Sequence, residues 1–373
     1  MTISGEKAVQ QTRAGEGNHG ERMRKLKEML RAVSRRVNLH HIGIALSIII
    51  IAIACLTLFR ILHRVDLEKV AGALRGTPPE NIAIAAACVA AAYVTLTCYD
   101  LFALRTIGLR HVPYRVAAMA AFCSYSIGHN IGATVFTSNA IRFRIYSAWG
   151  LSVIDVAKMA FITGLTFWLG NLVVLGLGML YEPQAATLID QLPPWLNRLA
   201  AMAMLVIIAG YLIWVGTRRR VVGRHNWQVA LPGARLTLVQ IGIGFLDLGL
   251  SGTAMYMLMP PNAGADFVGI VVTFVLSTLL AFASHSPGGL GVFDASILVG
   301  LPQFPPEQLL AALLLFRLLY YIIPFGLALS IVGVREVLLN GAKRASATAQ
   351  QHAAAPPASR QCDESEKKKC RAQ

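Results

Sequence analysis

Charge is what this sequence has least of. Of 373 residues only 14% are charged, while 55% are hydrophobic; a soluble domain carries about 25% charged residues. The deficit is local. The stretches 42–59, 82–98 and 199–215 contain no Asp, Glu, Lys or Arg. Enzymatic signatures are missing as well: there is no P-loop, no HExxH, no GxSxG and no cysteine–histidine cluster. No polar stretch is long enough for a soluble catalytic domain, so the expectation is a non-enzyme without cofactor or metal. The six cysteines lack zinc spacing. Cys55, Cys88, Cys98 and Cys123 lie in apolar runs, and Cys362 and Cys370 lie in a polar tail. They read as small apolar fillers and reduced thiols rather than a disulfide framework.

What is present is a series of apolar runs, several long enough for the ~20 residues a bilayer core requires. The first begins near residue 42 and many follow it, unlike a cleaved leader. The net charge of +15 is gathered at run ends, in 22–36, 105–115, 142–144, 218–224 and 335–344. That is the positive-inside pattern, and it argues for a membrane surface rather than nucleic acid as partner. The expectation is a multi-pass bacterial inner-membrane protein with both termini cytoplasmic.

The fold class read from the pattern is all-α, with about six spanning helices at 42–62, 81–104, 152–180, 197–216, 235–259 and 308–333. Residues 1–40 form a basic N-terminal segment, with Met23, Leu26, Leu30 and Val33 on one helical face of 21–37. The membrane domain covers 41–335, and the low-complexity tail 336–373 reads as disordered. Two further apolar regions, 114–140 and 267–301, are interrupted near their middles by glycine, the second also by proline. Pieces such as 119–127 and 290–301 are short for ~30 Å of hydrocarbon. Re-entrant hairpins are therefore favoured over pairs of full crossings.

The two halves share an order of features. A helix with a lone aspartate, Asp100 or Asp247, precedes a broken segment whose tip holds serine, glycine and histidine (124–132 and 284–291), and a long helix follows. With the topology above, the two units have opposite orientation, the pattern of an inverted-repeat transporter. Breaks at membrane depth are tolerated where freed backbone groups face protein or a wet cavity.

Intramembrane charges need partners. Asp247 lies mid-run. Asp100 is near a helix end, where an interfacial position and a buried one are both open. Arg317 is deep in the last helix, which suggests a pair with Asp294 or Asp247, or an anionic ligand. Asp294 could equally cap a half-helix. Arg142 and Arg144 read either as positive-inside flanking or as phosphate ligands. His129 and His285 have no acidic or thiol neighbour in sequence.

Residues 124–152 (SYSIGHNIGATVFTSNAIRFRIYSAWGLS), with PGGLGVFD at 287–294, resemble the transmembrane region of bacterial lysylphosphatidylglycerol synthase/flippase proteins over roughly 40–335. The matching elements are the Ser124-Tyr125 pair, Asn130, R-x-R-x-Y at 142–146, W-G-L-S at 149–152 and the PGGLGVF run. Asp294 stands where that motif has glutamate, and Ser138-Asn139 where it has two glycines. The resemblance implies the lipid-moving half of such proteins without the synthase domain: translocation of a phospholipid or related anionic lipid between leaflets. A polyprenyl-phosphate-linked lipid, or a non-transporting partner of a separate lipid-modifying enzyme, are the alternatives, and homo-oligomerisation is open. The candidate headgroup residues are Arg142, Arg144, Arg317, Ser124, Asn130, Tyr146, His129, His285, Asp294, Asp247 and Asp100.

Overall fold

A computed structural model describes residues 67–131, 134–224, 227–260 and 266–335. The expected basic segment 1–40, the span at 42–62, the tail 336–373, Gly132 and residues Cys55, Cys362 and Cys370 lie outside the described residues. The elements are helices α1 (Leu67–Gly76), α2 (Pro79–Thr106), α3 (Tyr114–Ile131), α4 (Thr134–Tyr146), α5 (Val153–Tyr181), α6 (Pro194–Thr217), α7 (Ala234–Leu258), α8 (Phe267–Ser284), α9 (Val292–Gly300) and α10 (Pro306–Arg335). A small antiparallel ribbon, β1 (Val221–Arg224) with β2 (Trp227–Ala230), joins α6 to α7. The protein is an all-α polytopic membrane protein, and six described helices are long and apolar enough to cross a bilayer.

Local sequence sets the helix ends. Proline opens α2, α6 and α10, where its missing N–H costs no hydrogen bond. Ser152 and Asp155 form a reciprocal capping box at the start of α5. Exposed apolar side chains on the long helices, such as Val206 (69%) and Ile213 (67%) on α6, form the lipid-facing surface that such a composition demands.

Five of the expected spans coincide with described helices, and two expectations need correction. The serine–histidine stretch 124–131 is not a tip: it continues α3 as regular helix, and the chain resumes as helix at Thr134. Alanine and small polar residues pair their backbone groups as well in a helix as in a turn, so composition alone does not locate a break. In the second region, α8 is one unbroken 18-residue helix of spanning length, about 27 Å at 1.5 Å per residue. Only α9, with nine residues, is short. The break occupies 285–291, where His285, Gly288, Gly289 and Gly291 all take positive φ.

Helix α7 is central, packing on α2, α5, α8 and α10. Its crossing with α5 depends on two glycines. A Cβ on Gly244 would lie 2.8 Å from Gly170 Cα and 2.8 Å from Thr166 O, so the backbones touch, as small residues permit in membranes. One turn away, Gln240 Nε2 donates to Thr166 Oγ1 at 2.7 Å and to Ile162 O at 3.2 Å. Gly244→Ala should therefore force α5 and α7 apart and cost ~1–3 kcal/mol, seen as a lower thermal midpoint in detergent. Gly242→Ala, with nothing within 4 Å of its Cβ, should leave that midpoint unchanged or slightly raised.

Candidate functional site

Charge at depth organises the site. Arg142 of α4 reaches back to Asp100 of α2: Nη2 donates to Oδ1 at 2.8 Å and Nε to Oδ2 at 3.0 Å. Tyr146, one turn further along α4, donates its hydroxyl to Asp100 Oδ2 at 3.0 Å. Tyr125 of α3 lays its ring 4.6 Å from the guanidinium carbon, and Asn139 Oδ1 accepts from Nη1 at 3.4 Å. Asp100 is wholly buried and Arg142 nearly so, which settles the open position of Asp100 in favour of burial. The bidentate fork matches carboxylate geometry.

A second pair stands at the other break. Arg317 of α10 donates from Nε to Asp294 Oδ1 at 3.0 Å and from Nη2 to Oδ2 at 2.7 Å. Its Nη1 donates to Gly288 O at 3.1 Å. Asp294 also accepts from Gly291 N at 3.1 Å, so it both caps α9 and pairs with Arg317. The two breaks approach each other: a Cβ on Gly288 would sit 4.0 Å from the carbonyl oxygens of His129 and Asn130.

Between these pairs lies a cavity of about 270 Å³. Its polar wall includes Arg142, Asp247, Tyr99, Tyr125, His129 and Ser251, with Tyr320 and Tyr321 of α10. Asp247 accepts from Thr95 Oγ1 at 3.3 Å and Tyr99 OH at 3.2 Å. No arginine, lysine or histidine forms an ion pair with it among the described residues. His129 stacks on Tyr320 with rings 13° from parallel, and its Nδ1 has no hydrogen-bond partner among the described residues. On one flank the lining becomes apolar and exposed, with Val135 (54%), Trp168 (50%) and Phe282 (37%) from α4, α5 and α8. The cavity therefore communicates sideways with the surface that faces lipid.

The tyrosines are positioned by an irregularity in α10. Leu318–Ile322 form a π turn, which displaces carbonyls from the helical ladder. Tyr93 OH donates to Tyr320 O at 3.0 Å, and Asn130 Nδ2 to Tyr321 O at 3.2 Å. These bonds tie α2 and α3 to the turn that carries both rings.

The sequence candidates thus divide. Arg142, Tyr146, Asp100, Asp294 and Arg317 make the two ion-pair clusters, while Asp247 and His129 line the cavity. Ser124 is buried beside it; its hydroxyl donates to Ala121 O, and its carbonyl accepts from Ser138 Oγ at 2.9 Å. Asn130 supports α10. Arg144 and His285 are exposed and neither lines the cavity, although the His285 ring stacks on Phe282, which does. Sequence reasoning did not single out Tyr99, Tyr320 or Tyr321, and it met Tyr125 as part of a motif and not as a cavity residue. Their signal was adjacency: Tyr99 precedes Asp100, and the tyrosine pair follows Arg317 by one helical turn.

The Asp100–Arg142 pair yields a stability prediction. Removing one partner leaves a buried charge uncompensated, at ~3–5 kcal/mol, whereas replacing both is far milder. Arg142→Gln alone should lower the thermal midpoint strongly, and adding Asp100→Asn should restore most of it.

A scan against protein-family models gives no match. The chain is 30% identical over 284 residues, 76% of its length and 88% of the relative's, to the uncharacterized protein slr0712 of Synechocystis. To the inner membrane protein YbhN of Escherichia coli it is 26% identical over 274 residues, 71% of this chain and 83% of that one. A phosphatidylglycerol lysyltransferase of Staphylococcus haemolyticus is 22% identical over 254 residues, 65% of this chain but 28% of the relative's length. The chain, itself a multi-pass membrane protein by its helices, belongs to the family of the uncharacterized protein slr0712.

Proposed function

We propose that the protein is a carrier rather than an enzyme, and that it moves an anionic phospholipid or a related anionic lipid between the leaflets of the inner membrane. The observation that carries this reading is the cavity: polar at its inner wall, apolar at its lateral mouth, and bounded by both helix breaks. A lipid has the same division. Its headgroup needs polar surface at mid-depth, while its chains can remain in the bilayer. Arg142 is one of the lining residues, and the first turn of α4, at Thr134 and Val135, brings backbone N–H groups of the kind that attract phosphate. The similarity to a protein named for phosphatidylglycerol chemistry supports a lipid ligand.

In this reading the segments α3–α4 and α8–α9 are the paired broken elements of an inverted repeat. Each is preceded by a helix with a lone aspartate, and each is anchored to a continuous helix by an aspartate–arginine pair. The basic loops lie on the cytoplasmic side. Arg317 holds the second break rather than the headgroup.

The test is leaflet-resolved labelling in proteoliposomes. The wild-type protein should equilibrate a fluorescent phosphatidylglycerol between leaflets much faster than protein-free vesicles do. The paired variant Asp100→Asn/Arg142→Gln keeps the packing but loses the cation at the cavity. A charge-assisted contact contributes ~1.5–3 kcal/mol, so the rate should fall roughly ten- to hundredfold. Equal rates with and without protein would refute the carrier and favour a non-transporting role.

A further inference from the structure

Five charged side chains are shared between the two ion-pair clusters and the cavity, and they do not balance. Asp100 is matched by Arg142 and Asp294 by Arg317. Asp247, buried in the middle of α7, is the acid left over. Its partners are two hydroxyls of α2, both at more than 3.1 Å. The other elements around it bring no free cation among the described residues. Helix α3 contributes Tyr125 and His129, α4 contributes Arg142 already held by Asp100, and α10 contributes Tyr320 and Tyr321. From α5 and α8 come uncharged lining residues, Thr163 and Thr278 among them.

This imbalance has a consequence for an anionic ligand. With Asp247 ionised, the charges at the cavity sum to minus one and oppose entry of a phosphodiester beside Arg142. With a proton on Asp247 they sum to zero, and the carboxylic acid adds a donor to a wall of hydroxyls. A lone carboxylate at membrane depth is costly without a cation or a proton, and the cavity offers a route for either.

We propose that Asp247 is a proton-binding site coupled to the lipid site: one proton enters the cavity with each anionic headgroup and leaves with it. Proton plus phosphodiester carry no net charge, so the coupled step is electroneutral. By linkage, each ligand raises the affinity for the other. The inference rests on the lipid-carrier reading and supplies its coupling ion.

Two measurements test it. In weakly buffered detergent, short-chain phosphatidylglycerol should draw about one proton per bound lipid onto the wild-type protein. In phosphatidylcholine vesicles with a trapped pH dye, inward movement of labelled phosphatidylglycerol should acidify the lumen in the same ratio. An acidic exterior should speed that movement, and an imposed potassium-diffusion potential should not. Asp247→Asn should abolish proton uptake while remaining folded by thermal unfolding, and Asp247→Glu, which keeps an acid, should retain it. The proposal is overturned if wild-type lipid binding or movement takes up no proton, or if uptake survives in Asp247→Asn. Loss of uptake in Asp247→Glu as well as in the Asn variant also counts against it, as does uptake that depends instead on His129, shown by its loss in His129→Gln. Vesicles in which the wild-type protein moves no lipid would refute the carrier reading itself, a result separate from lipid movement without protons.

Discussion

An ionised group inside an apolar slab must be answered by another group of the same protein, since neither water nor lipid will answer it. In this chain the requirement decides how the irregular segments are held. Helix α4 is only 13 residues long and buries few apolar side chains, and α9, though most of its side chains are buried, has only nine residues. Arg142 fastens α4 to Asp100 of α2. Arg317 fastens α9 and the glycine turn before it to α10, through Asp294 and the Gly288 carbonyl. A buried pair of this kind contributes little net stability over an apolar substitute. It does determine register, because displacing either segment by one residue strands a charge.

The same logic extends to uncharged groups. Freed carbonyls at the π turn of α10 are satisfied by Tyr93 and Asn130, and the end of α3 is brought against the Gly288 turn. Two helix interruptions and one helix irregularity therefore converge on one region. Close backbone contact between α5 and α7, through Gly170 and Gly244, leaves the polar face of α7 directed at α2 and the cavity. Irregular backbone is affordable at depth only where such partners exist, so its concentration around one cavity ties fold and site together.

Much of this was legible in the sequence. The long uncharged runs set five described spans to within a few residues, because a bilayer tolerates few alternatives to a helix. The need of Arg317 for an acid was legible too, with Asp294 as one of two named choices. The pairing of Asp100 with Arg142 was not: 42 residues separate them, and Asp100 sits where an interfacial position was equally consistent. The break after α8 was placed within a residue, at 284–291, but the end of α3 was not. Serine, glycine and alanine serve helix contacts as readily as they serve turns, so a polar, glycine-containing stretch such as 124–132 does not say where the chain bends. The tyrosine wall escaped notice because aromatic residues in apolar helices usually pack; only tertiary structure brings Tyr99, Tyr320 and Tyr321 to the cavity that Asp247 lines.

The economy of charge also bears on how a carrier could let its ligand go. An unpaired arginine in a dry cavity would bind phosphate through short charge-assisted bonds, strengthened by the low dielectric. That suits a receptor better than a transporter, whose sites must be favourable enough to enter and weak enough to leave. Arg142 is already satisfied by Asp100, Tyr125 and Asn139, so it can share a guanidinium edge without committing its whole charge. Most of the remaining wall is hydroxyl, imidazole and aromatic ring, which bond a headgroup in several orientations. Among the described residues Asp247 is the acid of the wall with no cation paired to it, and on the proposal above a proton there would change the charge of the cavity. On that proposal, a site built from neutralised arginine and one lone acid would change its affinity without any large rearrangement of its walls.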